Sequence, residues 1–182
     1  MAEPAPGVEL RICPPRGRID LRGDPADPAF PTAVAGVLGF ELPSTPNTSR
    51  SAGAATVLWL GPDAWLIETE RAMEAAVAER LAQALPDLHC SVAAVGDGSV
   101  AFSVSGPRAA DVLAKGMTLD LDPARFRAGH CARSLLARIP VLLHRPGDDF
   151  IYEVTAARSY SEYALDWLHD AALEYGDAAG SS

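Results

Sequence analysis

Lysine is nearly absent from this chain: Lys115 is the one lysine in 182 residues, and the rest of the 15 basic side chains are arginine. Against 24 acids this leaves a net charge of −9 and a pI near 4.8. Such a balance excludes a general affinity for phosphate backbones or anionic lipid surfaces, because both need clustered cations. No apolar run approaches the roughly 18 to 20 residues of a membrane-spanning helix. The N-terminal MAEPAPGVELRICPP has an early acid and prolines where a secretory signal has a basic start and an apolar stretch, so the expected location is the cytoplasm.

Cysteine is scarce as well. Cys13, Cys90 and Cys131 are far apart and belong to no CxxC pattern, which suits reduced thiols better than a disulfide framework. The neighbouring pairs His89-Cys90 and His130-Cys131 each offer at most one ligand, since adjacent residues on a strand point to opposite faces. There is no glycine spacing of a dinucleotide or P-loop site. Asp97 lies in a GDGS turn and Arg108 follows a Gly-Pro turn; both read as turn and cap residues rather than as a base and an anion site. No catalytic, cofactor-binding or metal-ligating residue is assigned, and the chain itself is expected to bind no cofactor.

What is present is ordinary for a globular chain, 48% hydrophobic and long enough for one good core. Residues 1–16, with four prolines, read as a flexible arm, 17–176 as a single domain and 177–182 as a flexible tail. Asp27 is a helix cap with Pro28 in the first turn, and Phe30, Val34, Val37 and Leu38 share a face until Gly39. LWLGPDAWLI, from Leu58 to Ile67, sets Trp59 and Trp65 on two strands around a turn. Met73, Val77, Leu81 and Leu85 form a helical stripe, and Ser91–Val95 and Val100–Val104 flank GDGS as a hairpin. Ser105 precedes as cap a helix that starts at Pro107, turns Val112 and Leu113 inward and ends at Gly116. SLLARIPVLLHR and FIYEV are strands around PGDD, with Pro140 marking an edge or a bulge. Ser159 and Glu162 make a capping-box pattern before a helix that turns Tyr160, Tyr163, Ala164, Trp167, Leu168, Ala171 and Ala172 inward. The expected class is α+β, an antiparallel or mixed sheet with helices packed on one face, without an internal repeat. Trp59 and Trp167 are expected in the core.

LRGDPADPAF, LWLGPDAWLI, VSGPRAADVLAKG, LDLDPARFRAGHCARSLLARIPVLLHR and RSYSEYALDWLHDAALEYG, in this order and spacing, resemble the gamma subunit of heterotetrameric sarcosine oxidase from Arg18 to Gly176. SGPRAADVL, LDLDP and the late strand pair are similar, more distantly, to the glycine-cleavage T-protein, an aminomethyltransferase with a folate-binding fold. The resemblance implies a non-catalytic assembly subunit of a flavin-dependent complex that demethylates sarcosine to glycine. Its partners would be alpha, beta and delta subunits, which carry FAD, FMN, NAD, tetrahydrofolate and zinc. Two alternatives stand beside it: a stand-alone folate-binding or one-carbon transfer protein, and the same role in a complex oxidising another N-methyl or cyclic amino acid. For a subunit, the candidate interface is an acidic row on the last helix, Glu162, Asp166, Asp170 and Glu174, with no cation inside the helix to pair with it.

Overall fold

The computed structural model describes residues 7–86 and 88–176. In chain order the strands are β1 (Glu9–Ile12), β2 (Arg16–Gly23), β3 (Ser49–Ala52), β4 (Ala55–Gly61), β5 (Ala64–Glu70), β6 (Cys90–Ala94), β7 (Ser99–Ser105), β8 (His130–Leu136), β9 (Ile139–Arg145) and β10 (Ile151–Ala157). The helices are α1 (Ala29–Leu38), α2 (Glu74–Ala84), α3 (Ala109–Ala114) and α4 (Ser161–Ala172). The chain divides into two compact units, one from Pro15 to Asp97, the other from the segment ending at Pro14 together with the segment starting at Gly98. Where one core is expected over 17–176, there are two, each with its own five-stranded antiparallel sheet.

The sheet orders are β6-β2-β5-β4-β3 and β1-β7-β10-β9-β8, and they share one plan. In each, a first strand (β2 or β7) is followed by a helix, a three-stranded meander, a second helix and a closing strand that pairs beside the first. This is a split βαβ arrangement with an extra edge strand. In the second unit the closing strand is β1, supplied by the N-terminal part of the chain. The repeat is topological and leaves no trace in the residues, which explains why the sequence shows none.

That role for β1 corrects the reading of 1–16 as a flexible arm. Glu9–Ile12 pairs with Ser105–Phe102, Val8 is fully buried, and the Gly7 N–H donates to the Tyr175 carbonyl at 3.2 Å. Residues 1–6 and the expected tail 177–182 lie outside the described residues.

In the first unit, Asp27 Oδ1 accepts the Ala29 N–H at 3.0 Å, so Asp27 caps α1 as its sequence position predicts. Gly39, at φ +84°, ends the helix and its N–H donates to the Ala35 carbonyl. Phe30 and Val34 of α1 and Leu81 of α2 pack with Ile19, Leu21, Val57, Trp65 and Ile67 of the sheet. Burying each such side chain contributes about 1.5–3 kcal/mol. Phe30 fits because Gly23 has no side chain: a Cβ there would stand 2.2 Å from Phe30 Cε2.

The GDGS hairpin does not form. β6 pairs with β2, while β7 pairs with β1 and β10 in the other sheet, so Gly96–Gly98 is a single 3₁₀ turn where the chain passes from one unit to the next. A turn signal between two alternating runs cannot tell a hairpin from a crossing, because each run meets its partners far away in sequence. The turn within SLLARIPVLLHR falls at Ala137 and Arg138, with Ala137 at φ +52°. Pro140 sits in β9 one residue beyond the stretch that pairs with β10, where its missing N–H is not needed.

The last helix also departs from its pattern. A 3₁₀ turn at Arg158–Tyr160 precedes α4 and no side chain caps it, so Ser159 is not its N-cap. Likewise Ser105 is the last residue of β7 and α3 carries no side-chain cap. Ala164, Leu168, Ala171 and Ala172 form the buried stripe of α4, whereas Tyr160 and Tyr163 are 40% and 41% exposed. Small residues face the sheet closely, and the two tyrosines fall off the edge of that narrow stripe.

Candidate functional site

Polar chemistry in the first unit is concentrated at one corner. Arg18 and Glu68 are direct cross-strand partners on β2 and β5, and their buried side chains meet at 2.8 Å from Arg18 Nε to Glu68 Oε1. Arg16 Nη1 approaches the other carboxylate oxygen at 3.2 Å. Glu74, at the start of α2, accepts the N–H groups of Arg18 at 2.9 Å and of Gly96 at 2.7 Å, and pairs with Arg71. Arg71 in turn reaches Asp97 at 2.5 Å. Asp97 is thus a partner in a charged network at this corner. These charges satisfy one another and hold the start of β2, the start of α2 and the turn at Gly96 together.

The open cavities of this unit include the following two. One, of about 490 Å³, is lined by Trp59 and Trp65 with Pro25, Pro31, Pro43 and Pro62 among its walls. Trp65 is the buried tryptophan, its Nε1 donating to the Pro43 carbonyl at 3.0 Å, while Trp59, expected in the core, is half-buried beside it. The other, of about 470 Å³, is lined by Arg22, Asp24, Asp63, His89, Cys90 and Ser91. His89 and Cys90 reach it together, yet among the described residues no group of three His, Cys, Asp or Glu side chains comes together as a metal site.

In the second unit Cys131 is buried and faces His144 across β8 and β9, and His144 faces Glu153 across β9 and β10. His144 Nδ1 and Glu153 Oε2 are 3.9 Å apart. Arg145 is 4% exposed; its terminal nitrogens donate to the Phe126 and Asp148 carbonyls at 2.7 and 3.3 Å. Its guanidinium lies 5.7 Å from the centre of the Tyr152 ring. Burial raises the Tyr152 pKa above its usual 10.0, and the Arg145 cation opposes this in part. Cys131, His144, Arg145 and Tyr152 are all buried in this unit.

The acidic row divides. Glu162, Asp166 and Asp170 are exposed, with no side-chain partner among the described residues. Glu174 lies beyond α4 and pairs with Lys115 at 2.5 Å, whose hydrogen bond is the main cause holding its carboxyl below the usual 4.5. Lys115 also donates to the Ala171 carbonyl at 2.5 Å and lies 4.7 Å from the centre of the Tyr175 ring. The chain's one lysine therefore closes the C-terminal end of α4, where a cation is favoured by the helix dipole. Nothing in the sequence pattern signals that role, because Lys115 sits 56 residues away from Ala171.

The paired split-βαβ architecture places the chain in the aminomethyltransferase fold class. Aminomethyltransferase T of the glycine cleavage system from Bartonella henselae superposes with a TM-score of 0.65 at 15% identity, over 90% of this chain and 45% of that one. A chain of the heterotetrameric sarcosine oxidase from Corynebacterium sp. U-96, solved with pyrrole 2-carboxylate, superposes with a TM-score of 0.85 at 31% identity, over 96% of this chain and 88% of that one. Sarcosine oxidase subunit gamma of Corynebacterium sp. (strain P-1) is 33% identical over 169 residues, 92% of this chain and 81% of that protein. The same subunit from Arthrobacter sp. is 33% identical over 174 residues, 94% and 83% of the two chains. Residues 22–174 match the model of the sarcosine oxidase gamma subunit family, and the chain belongs to that family.

Proposed function

We propose that the chain is an assembly subunit of a heterotetrameric sarcosine oxidase, with alpha, beta and delta subunits as partners in the cytoplasm. On this reading the partners hold FAD, FMN, NAD, tetrahydrofolate and zinc, and no residue of this chain takes part in the oxidation of sarcosine. The observation that carries it is the superposition over 88% of a chain of the Corynebacterium enzyme. The family match over residues 22–174 supports the same reading. The stand-alone folate-binding alternative is less well supported, because this chain spans only 45% of the aminomethyltransferase it matches. The test is co-purification. Expressed with the other subunits, the tagged chain should bring down a stoichiometric complex that oxidises sarcosine. A chain that stays alone under those conditions, or that by itself binds tetrahydrofolate tightly, would overturn the proposal.

A further inference from the structure

The second unit has an open sheet edge whose charge is opposite to that of the chain. From His130 to Gly147 there is no Asp or Glu, in a protein of net charge −9; Arg145 of this stretch is buried, and Arg133 on β8 and Arg138 in the turn after it are the exposed arginines of the edge. β8 and β9 lie in this segment, and β8 is the last strand of its sheet.

The turn at Ala137 and Arg138 makes Leu136 and Ile139 the hydrogen-bonded pair next to it. By the alternation of an antiparallel ladder, Leu135–Pro140 and Arg133–Leu142 are then non-hydrogen-bonded pairs. The N–H and C=O groups of Arg133 and Leu135 therefore point away from β9, toward the open side. Of these, the Leu135 carbonyl meets Ser134 Oγ at 3.5 Å, and no other described group takes them. Leu135 is 52% exposed. Arg133 and Arg138 are exposed too, and neither guanidinium has a partner among the described residues.

The matching edge strand of the first unit is built differently. β3 has four residues, SRSA, with no apolar side chain larger than alanine, and its Arg50 is tied to Glu41 at 3.4 Å. Edges of self-sufficient proteins are usually short or blunted in this way. β8 has seven residues in unbroken register with β9.

We propose that β8 is a docking edge for an extended, acidic segment of another subunit. That segment adds as a sixth strand, its backbone pairing with Arg133 and Leu135, its carboxylates meeting Arg133 and Arg138 and its apolar side chains covering Leu135. The charge selects the occupant: a basic edge repels cationic segments and attracts acidic ones. The proposal rests on the subunit reading above.

The test compares amide hydrogen exchange in the isolated full chain and in the purified complex. The Arg133 and Leu135 amides should slow by about tenfold or more on assembly. In parallel, the double variant Arg133→Glu/Arg138→Glu, checked for an unchanged melting curve, should weaken association by about ten- to a hundredfold and flatten its salt dependence. If the complex forms while both amides exchange at the rate of the free chain, the edge is not used and the subunit reading stands. If the unmodified chain never joins the complex, the subunit reading falls and the edge falls with it. Protection of both amides in an isolated chain with the mass of two copies would put a second copy on β8 and overturn the acidic-segment assignment.

Discussion

Trp167 lies over Gly116: a Cβ added to Gly116 would stand 2.4 Å from Trp167 Cζ2, closer than any real contact allows. The indole of α4 is half-buried rather than central to the core, and it is seated by the absence of a side chain just beyond α3. Gly116→Ala should therefore cost about 1–3 kcal/mol by overpacking. In a Trp167→Ala background the same substitution should cost less, since the ring is gone and only the Ala137 backbone nitrogen, 3.2 Å from the new Cβ, still crowds it. Urea unfolding of the two single variants and the double variant checks this, and equal costs in both backgrounds would show that the ring is not the cause.

The Arg18–Glu68 pair is buried on both sides. Glu68→Ala leaves the Arg18 guanidinium without its carboxylate inside the first unit and should cost about 3–5 kcal/mol. Replacing both residues by apolar ones of similar size, Arg18→Met with Glu68→Leu, should cost much less. Thermal melts of the two variants decide it: if the double replacement is the worse one, the pair stabilises the fold beyond its own desolvation.

Tyr152 is fully buried, and its hydroxyl has no hydrogen-bond partner among the described residues. Its folded pKa is raised above 10.0, so the folded chain holds the proton more tightly than the unfolded chain does. The resulting stability is fully present below pH 10.0 and is lost as pH rises through the raised value. Tyr152→Phe should flatten this alkaline loss while leaving stability at pH 7 unchanged or higher by about 1 kcal/mol. Melting curves from pH 7 to 11 provide the check, and an unchanged alkaline slope in the variant would assign the loss to other groups.

Ala137 takes a left-handed φ of +52° in the β8–β9 turn, with its N–H donating to the Gly116 carbonyl at 2.8 Å. An alanine pays steric strain there that glycine does not. Ala137→Gly should raise stability by about 0.5–1 kcal/mol, against the usual destabilising effect of added glycine. A lower melting temperature would mean that the turn is unstrained.

The exposed acids of α4 remain a proposed second contact with the complex. Asp166→Lys with Asp170→Lys should leave the melting temperature of the isolated chain within a few degrees, since exposed substitutions cost about 0.5 kcal/mol or less. Assembly should slow, with a weaker dependence on salt. An unchanged association rate across a salt titration would identify the row as a solvated face only.

Local signals in the sequence were sufficient for the elements that depend on near neighbours. The Asp27 cap and Gly39 stop define α1, and LWLGPDAWLI defines the β4–β5 pair in which Trp59 and Trp65 face each other. Five motifs in order identified the family. What only the tertiary structure decided is which strand pairs with which: that GDGS is a crossing between two units, that the proline-rich start supplies β1, and that two cores exist instead of one. Hydrophobic alternation states that a strand has a buried face but is silent about its hydrogen-bonding partner, which is chosen by loop closure and packing over the whole unit. The same limit hid Lys115 and the β8 edge, because a cation at a helix end and an unpaired strand edge are defined by residues distant in the chain.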